Sequence, residues 1–384
     1  MNTTTVRKGR TVKPAMVEND LGSHDHRILL LQGGGALGAY HGGVYEGLAA
    51  GGFAPDWVVG ISIGAINSAL IAGNAPEHRL DRLREFWNLV SAQSPLVLPA
   101  GMDFARPMMN QLAAASAMMF GIPGFFSPRM PMPQFAIPGT IGALSYYDTE
   151  PLRATLERLV DFDRINAGEV RLSLGAANVR TGESVYFDST THKITASHVM
   201  ASGALPPGFP PVEIDGEFYV DGGIMTNTPL AYVGKDFRMS ALVIQVDLFS
   251  GLGVVPQTLN QVQERVKDIQ FQSKARLSID EMRAIESLRS RLASVIDRLP
   301  AELRADPEVR ELAEISRRGR VSLIHLVNRH DTASLDFKDY EFSRATVQDL
   351  WQGGLGDVRR VLEDPGACHV TDIGNGVHIF DLPS

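Results

Sequence analysis

Short apolar runs alternate with amphipathic stretches along most of the chain. Arg27-Ile-Leu-Leu-Leu-Gln32 is too short for a helix and reads as a buried strand. A glycine loop from Gly33 to Gly38 follows it, and then an amphipathic helix from about Ala39 to Ala50. Val58-Val59 ends a second buried strand, with a small-residue helix from Ala65 to Ala72 behind it. His78 to Val90 and Leu152 to Leu159 read as further helices. Val170 to Asn178 and Ser184 to Phe187 read as strands joined by the turn Arg180-Thr-Gly-Glu183. Ala196 to Ser202 is a short helix before the rigid loop Pro206-Pro-Gly-Phe-Pro-Pro211. Asp215-Gly216, between two short alternating runs, signals a hairpin that delivers Asp221-Gly222-Gly223. A strand at Ala241 to Asp247 closes the β/α alternation.

Two segments depart from this rhythm. Between Gln93 and Tyr147 lie Met102, Met108, Met109, Met118, Met119, Met130 and Met132, interrupted by prolines that include Pro107, Pro123, Pro128, Pro131, Pro133 and Pro138 and accompanied by Phe120, Phe125 and Phe126. Prolines at that density forbid one regular helix. Methionine adapts to flexible apolar ligands, so the stretch reads as a lid or acyl-chain channel, with ordinary core packing as the plainer alternative. After Gly253 the chain turns charged and helical. Val262, Val266 and Ile269 form one stripe, and Ile285, Leu288, Leu292, Val295 and Leu299 another. Ser278 and Glu281 form a capping box that places a second helix start there, and Leu299-Pro300 ends it. Val321 to Val327 reads as a strand, and Ser343 to Leu362 as a last helix loosened at Gly353-Gly354. The expected division is a disordered tail over 1–26, an α/β domain over 27–252 with the insertion at about 93–147, and a mainly helical lateral extension over 253–384.

Composition narrows the function. A net charge of −8 argues against a nucleic-acid binder, which would show a basic face. The single cysteine, Cys368, permits no intrachain disulfide and fits a reducing compartment, so a cytoplasmic location is expected. No apolar run approaches the length of a membrane span. Met1 to Arg27 lacks the apolar core of a secretory signal. Lys8, Arg10 and Lys13 within it are the groups that could meet anionic lipid at the inner membrane face.

The chemistry centres on Gly60-Ile61-Ser62-Ile63-Gly64, a G-x-S-x-G turn between a strand and a helix. Such a turn lifts Ser62 Oγ out of the chain, with glycines where a Cβ would collide. With 37 glycines in 384 residues, G-x-x-x-G should arise by chance roughly three or four times, and with a central serine well under once. Gly33-x-Gly35-x-x-Gly38 has the layout of a dinucleotide loop and equally of an oxyanion hole. A dinucleotide site wants an acid after the second strand, where this chain has Ser62, and no Walker lysine follows the loop. The loop therefore reads as an oxyanion hole. The serine needs a base. His325 and His330 stand in the order an α/β-hydrolase would need. Asp221 acting alone is the other candidate, although an aspartate before Gly-Gly is also an ordinary turn residue.

The ordered set Gly33-Gly-Gly-x-x-Gly38, Gly60-x-Ser62-x-Gly64 and Asp221-Gly222-Gly223 resembles the patatin-like phospholipases. The likeness includes Ala201-Ser-Gly-Ala-Leu-Pro206, Phe209-Pro-Pro-Val212, Asn227 and Pro229, and spans about Arg27 to Pro229. The resemblance implies a three-layer α/β/α fold with a mostly parallel sheet and a Ser62–Asp221 dyad without histidine. It implies an oxyanion hole from Gly33, Gly34 and Gly35, helped by the Ile63 N–H. The implied activity is hydrolysis of lipid acyl esters through an acyl-enzyme, with no metal or cofactor. The partners expected are the lipid substrate, a peripheral membrane contact and a homo-oligomer through the C-terminal helices. Many members carry a basic residue after G-G-G-x, where this chain has Leu37. That weakens the case for a phosphate-headgroup contact there and leaves neutral esters open. Acyl transfer, thioester cleavage and polyester depolymerisation by the same dyad, or lipid binding without catalysis, are the competing functions.

Overall fold

The computed structural model describes residues 24–91, 106–227, 229–234, 240–272, 275–316, 321–329, 338–363, 369–372 and 377–381. Most of the tail expected over 1–26, residues 93–105 of the apolar stretch, His330 and Cys368 lie outside the described residues.

The chain begins with β1 (His26–Leu31), α1 (Ala39–Ala50), β2 (Trp57–Ile61), α2 (Ile63–Ala72) and α3 (Arg79–Val90). Next come α4 (Arg106–Phe120), the two-residue strands β3 (Ser127–Pro128) and β4 (Tyr147–Asp148), α5 (Glu150–Leu159) and α6 (Phe162–Asn166). β5 (Arg171–Asn178), β6 (Ser184–Asp188), α7 (Ala196–Ser202), β7 (Val212–Ile214), β8 (Glu217–Asp221), α8 (Leu230–Val233) and β9 (Ala241–Asp247) complete the first part. The remainder is α9 (Leu259–Phe271), α10 (Ala275–Asp297), α11 (Ala301–Arg304), α12 (Pro307–Ser316), β10 (Val321–Val327), α13 (Arg344–Glu363), β11 (His369–Asp372) and β12 (Val377–Asp381).

Ten strands form one sheet in the order β11-β12-β10-β9-β1-β2-β5-β8-β7, with β6 also on β5. The run from β12 through β10, β9, β1 and β2 to β5 is parallel, and β6, β7, β8 and β11 pair antiparallel. A parallel sheet must bury both faces, which is why β1 is apolar without alternation. Leu29 and Leu31 face the larger core, shared with α1, α2, α3 and α13. Ile28 and Leu30 face a smaller one with Val243, Leu323 and the α8 residues Leu230 and Val233. The architecture is the three-layer α/β/α arrangement. Asp215 (φ 52°) and Gly216 (φ 81°) make the tight turn of the β7–β8 hairpin.

The segment after residue 253 is not purely a lateral extension. β10 lies parallel on β9, pairing Val321 with Ala241 through to Val327 with Asp247, so β9 does not close the sheet. α13 lies on α1, where Tyr40 donates to the buried Asp357 at 2.6 Å and Trp351 to Glu46 at 2.6 Å. The glycines do not loosen α13, which runs unbroken through Gly353-Gly354. They let the two helix backbones touch. A Cβ on Gly43 would sit 1.8 Å from the Trp351 carbonyl oxygen, and one on Gly354 2.3 Å from that of Tyr40. Gly43→Ala is therefore expected to cost about 1–3 kcal/mol in thermal or denaturant unfolding, because the clash outweighs the gain in helix propensity.

α10 begins at Ala275, ahead of the Ser278 capping box, and Thr258 caps α9 by accepting from Gln261 N at 3.2 Å. α9 is turned opposite to its periodicity. Val262, Val266 and Ile269 are exposed, while Glu264 is buried and Lys267 reaches Asp339 at 2.8 Å. Ion pairs from Lys267 and Lys338 hold the polar face inward.

Candidate active site

Loops at the carboxyl ends of β1, β2, β8 and β9 converge on one cleft, where open α/β sheets place ligands. At the end of β2, Ser62 has φ 57° and ψ −124°, a conformation that costs of order 1–3 kcal/mol for a residue with a Cβ. The surroundings enforce it. Ser62 N–H donates to Ser202 Oγ at 3.1 Å, and Ser202 Oγ–H donates to the Gly175 carbonyl at 2.6 Å. Ser62 O caps α2 by accepting from Ala65 N at 2.9 Å. A Cβ on Gly60 would lie 2.3 Å from Gly64 O, and one on Gly64 2.2 Å from Leu31 O. Only glycine fits on either side of the turn.

Asp221 ends β8, where it pairs with Ala176 of β5. Gly222 lets this end settle onto β5, since a Cβ there would lie 2.5 Å from Gly175 O. The Asp221 carboxyl is 2 % exposed. Its Oδ1 accepts from Gly223 N–H at 2.7 Å, and Ser62 lines the same cleft as the carboxyl. Burial pushes its pKa up from the ordinary 3.8 to about 6, while the nearby Ser62 side chain and the Gly223 hydrogen bond restrain the rise.

The glycine loop runs past Ser62. Asn227 clamps it by accepting from Gly33 N at 3.0 Å and donating to Gly33 O at 3.1 Å. The Gly33 N–H is thus engaged and is not a free oxyanion donor. Gly35, at φ +55°, turns the chain against the Asp339 carbonyl, which accepts from Ala36 N at 2.9 Å. The N–H groups of Gly34, Gly35 and Ile63 have no hydrogen-bond partner among the described residues. Gly38 closes the loop against Ile63, and its carbonyl accepts from Asn67 of α2 at 3.0 Å.

Neither Ser62 nor Asp221 has a histidine partner among the described residues. His325 instead pairs with the buried Asp247 across β9 and β10, at 2.5 Å. Burial holds His41 neutral, with a pKa of about 3, and it packs on Asn67. Among the described residues, no group of three or more His, Cys, Asp or Glu side chains could hold a metal ion.

The cleft encloses about 810 Å³, counting the part open to solvent, and its walls are aromatic. Phe125, Phe126 and Tyr147 come from the Met-, Pro- and Phe-rich stretch, and Phe209 from the proline loop. Phe249 and Phe271 follow from β9 and α9, and Tyr340 and Phe342 from the segment before α13. Phe125 and Phe126 are buried, and Phe126 contacts Tyr147 and Phe209 at centroid distances of 4.8 and 5.2 Å. Sequence reasoning missed the wall built by the C-terminal part. The alternation of Tyr340 and Phe342 in Lys338-Asp-Tyr-Glu-Phe-Ser343 was the available signal. Ser202 entered the sequence reading only as part of the Ala201-Ser-Gly-Ala-Leu-Pro206 likeness, and its bond to the Ser62 N–H was not foreseen.

A family model described as patatin-like phospholipase matches residues 29–233, more than half of the chain. A second, described as patatin phospholipase, matches residues 269–372, which include the Tyr340–Phe342 wall. No curated protein matches the chain. Among solved structures, VipD from Legionella pneumophila is 15% identical at a TM-score of 0.36, over 88% of this chain and 67% of that one. A chain of the SpcU–ExoU complex from the type III secretion system of Pseudomonas aeruginosa is 16% identical at a TM-score of 0.28. That match covers 73% of this chain and 59%, less than two thirds, of the other. Likenesses at these scores carry no argument about function.

Proposed function

The chain belongs to the patatin-like phospholipase family of lipid hydrolases, and from that premise we propose that it cleaves lipid acyl esters with a Ser62–Asp221 dyad. The observation that carries the reading is a strained, elbow-mounted serine in the same cleft as a buried carboxyl whose pKa is raised to about 6. A base near that value is ionised at neutral pH yet basic enough to take a proton during attack.

Ser62 Oγ attacks the ester carbonyl carbon as Asp221 takes its proton. The tetrahedral oxyanion forms beside the Gly34, Gly35 and Ile63 N–H groups, the last at the N-terminus of α2. As the C–O bond breaks, Asp221 returns the proton to the leaving alcohol. Water then attacks the acyl-Ser62 ester, losing its proton to Asp221, and Ser62 leaves with that proton. The aromatic walls take the acyl chain and exclude water from the dyad. Leu37 lies buried behind the loop and offers no cation, in keeping with acyl-chain rather than phosphate recognition.

A fluorophosphonate probe followed by peptide mass analysis should place the adduct on Ser62. The labelling rate should rise about tenfold per pH unit and level off above about pH 6, because only the ionised Asp221 accepts the proton. An adduct on another serine would overturn the assignment.

A further inference from the structure

We infer that residues 130–146 form a fixed lipid-docking surface, seating the cleft on the uncharged part of a bilayer rather than opening as a hinged lid. This rests on the acyl-ester reading of the cleft for its purpose, though not for its geometry. The segment leaves and returns through a closed base: β3 pairs with β4, and Arg129 N donates to Tyr146 O at 3.0 Å. That base is fastened to the body, with Tyr146 N and Tyr147 N donating to Pro207 O and Gly208 O at 3.1 and 2.9 Å. The Tyr147 hydroxyl donates to Met118 O at 2.8 Å. Phe125 and Phe126 sit buried beneath it, so the base cannot swing away without breaking the core.

Beyond the base the side chains point into solvent. Met130 is 85% exposed, Phe135 79% and Ile137 74%, with Met132, Ile141 and Leu144 also exposed. An apolar surface of this kind marks an interaction site. Its chemistry selects the partner. From residue 107 to residue 147 the only charged residue is Arg129, in a chain whose charged fraction is 21%. Arg129 is itself neutralised by Asp148 at 3.5 Å. A docking face for a soluble protein carries a polar, charged rim. A face without charge, with Tyr146 exposed at its base, matches the boundary between headgroups and acyl chains. Phe125, Phe126 and Tyr147, which flank this segment, line the cleft that holds Ser62, so the docking surface lies next to the site an acyl chain must reach.

The full chain should therefore float with phosphatidylcholine vesicles. Binding should persist in about 1 M NaCl, where charge attraction is screened, and should not increase with added phosphatidylglycerol. The triple variant Met130→Ser, Phe135→Ser, Ile137→Ser should lose at least tenfold in vesicle-bound fraction while hydrolysing a monomeric short-chain ester within about twofold of normal. Ser62→Ala should float like the parent, which separates docking from the dyad: an inactive parent that still floats counts against the dyad alone. The inference is overturned if the parent does not float, if binding needs anionic lipid or low salt, or if the triple variant floats as well as the parent. It is also overturned if sedimentation shows the parent to be a dimer that these substitutions dissociate, since a second copy would then be the occupant.

Discussion

Ser62→Ala should lower turnover of p-nitrophenyl esters on the order of 10⁶-fold, the scale of loss when a serine hydrolase is deprived of its nucleophile. Folding should be kept. The Ser62 N–H keeps its bond to Ser202 Oγ, and alanine bears the same Cβ penalty at φ 57°, so no strain is added or relieved. The surrounding contacts, from Gly60 against Gly64 to Ser202 against Gly175, do not involve the hydroxyl. Steady-state turnover and thermal unfolding, measured together, check both halves. Appreciable activity in a folded Ser62→Ala protein would remove the mechanism.

Asp221→Asn should cost about 10²–10⁴-fold in turnover, because the amide can hold Gly223 N–H but cannot accept a proton. It should also change stability in a pH-dependent way. The folded pKa of about 6 lies above the unfolded value near 3.8, so Asp221 favours folding below pH 4. That contribution is lost as pH rises through 6, where a buried charge must be kept. The shift corresponds to about 3 kcal/mol. Denaturant titrations at pH 4 and pH 8 should show Asp221→Asn gaining on the parent by about that much at the higher pH. A constant difference between the two proteins would place the carboxyl in contact with water and deprive it of its tuned basicity.

The strands and motifs of the first part were legible because their signals are local. β1 and β9 are short, mainly apolar runs, and the Asp215-Gly216 turn is written in two adjacent residues. The elbow was legible because glycines must flank it, as Gly64 against Leu31 O illustrates. Long-range placement was not legible. Val321 to Val327 reads as a strand from its own residues, but nothing local says that it lies beside β9 and carries the C-terminal part into the sheet. For the same reason Tyr340 and Phe342 had no role in the sequence reading, although they wall the cleft. The exposed stripe of α9 misleads because periodicity marks an apolar face without saying what covers it. In the structure, ion pairs to Lys338 and Asp339 turn that helix the other way. The Gly33 N–H could not be assigned from sequence either, since its partner Asn227 is distant in the chain.

The account stands or falls on the identity of the base. Stopped-flow release of p-nitrophenolate in a single turnover isolates acylation of Ser62. It should be compared in the parent, in Asp221→Asn, and in His325→Gln, which retains a hydrogen bond to Asp247. The dyad predicts that Asp221→Asn slows acylation by about 10²–10⁴-fold while His325→Gln stays within about tenfold of the parent. A loss in folded His325→Gln as large as that in Asp221→Asn would contradict it and put a histidine in the base's place.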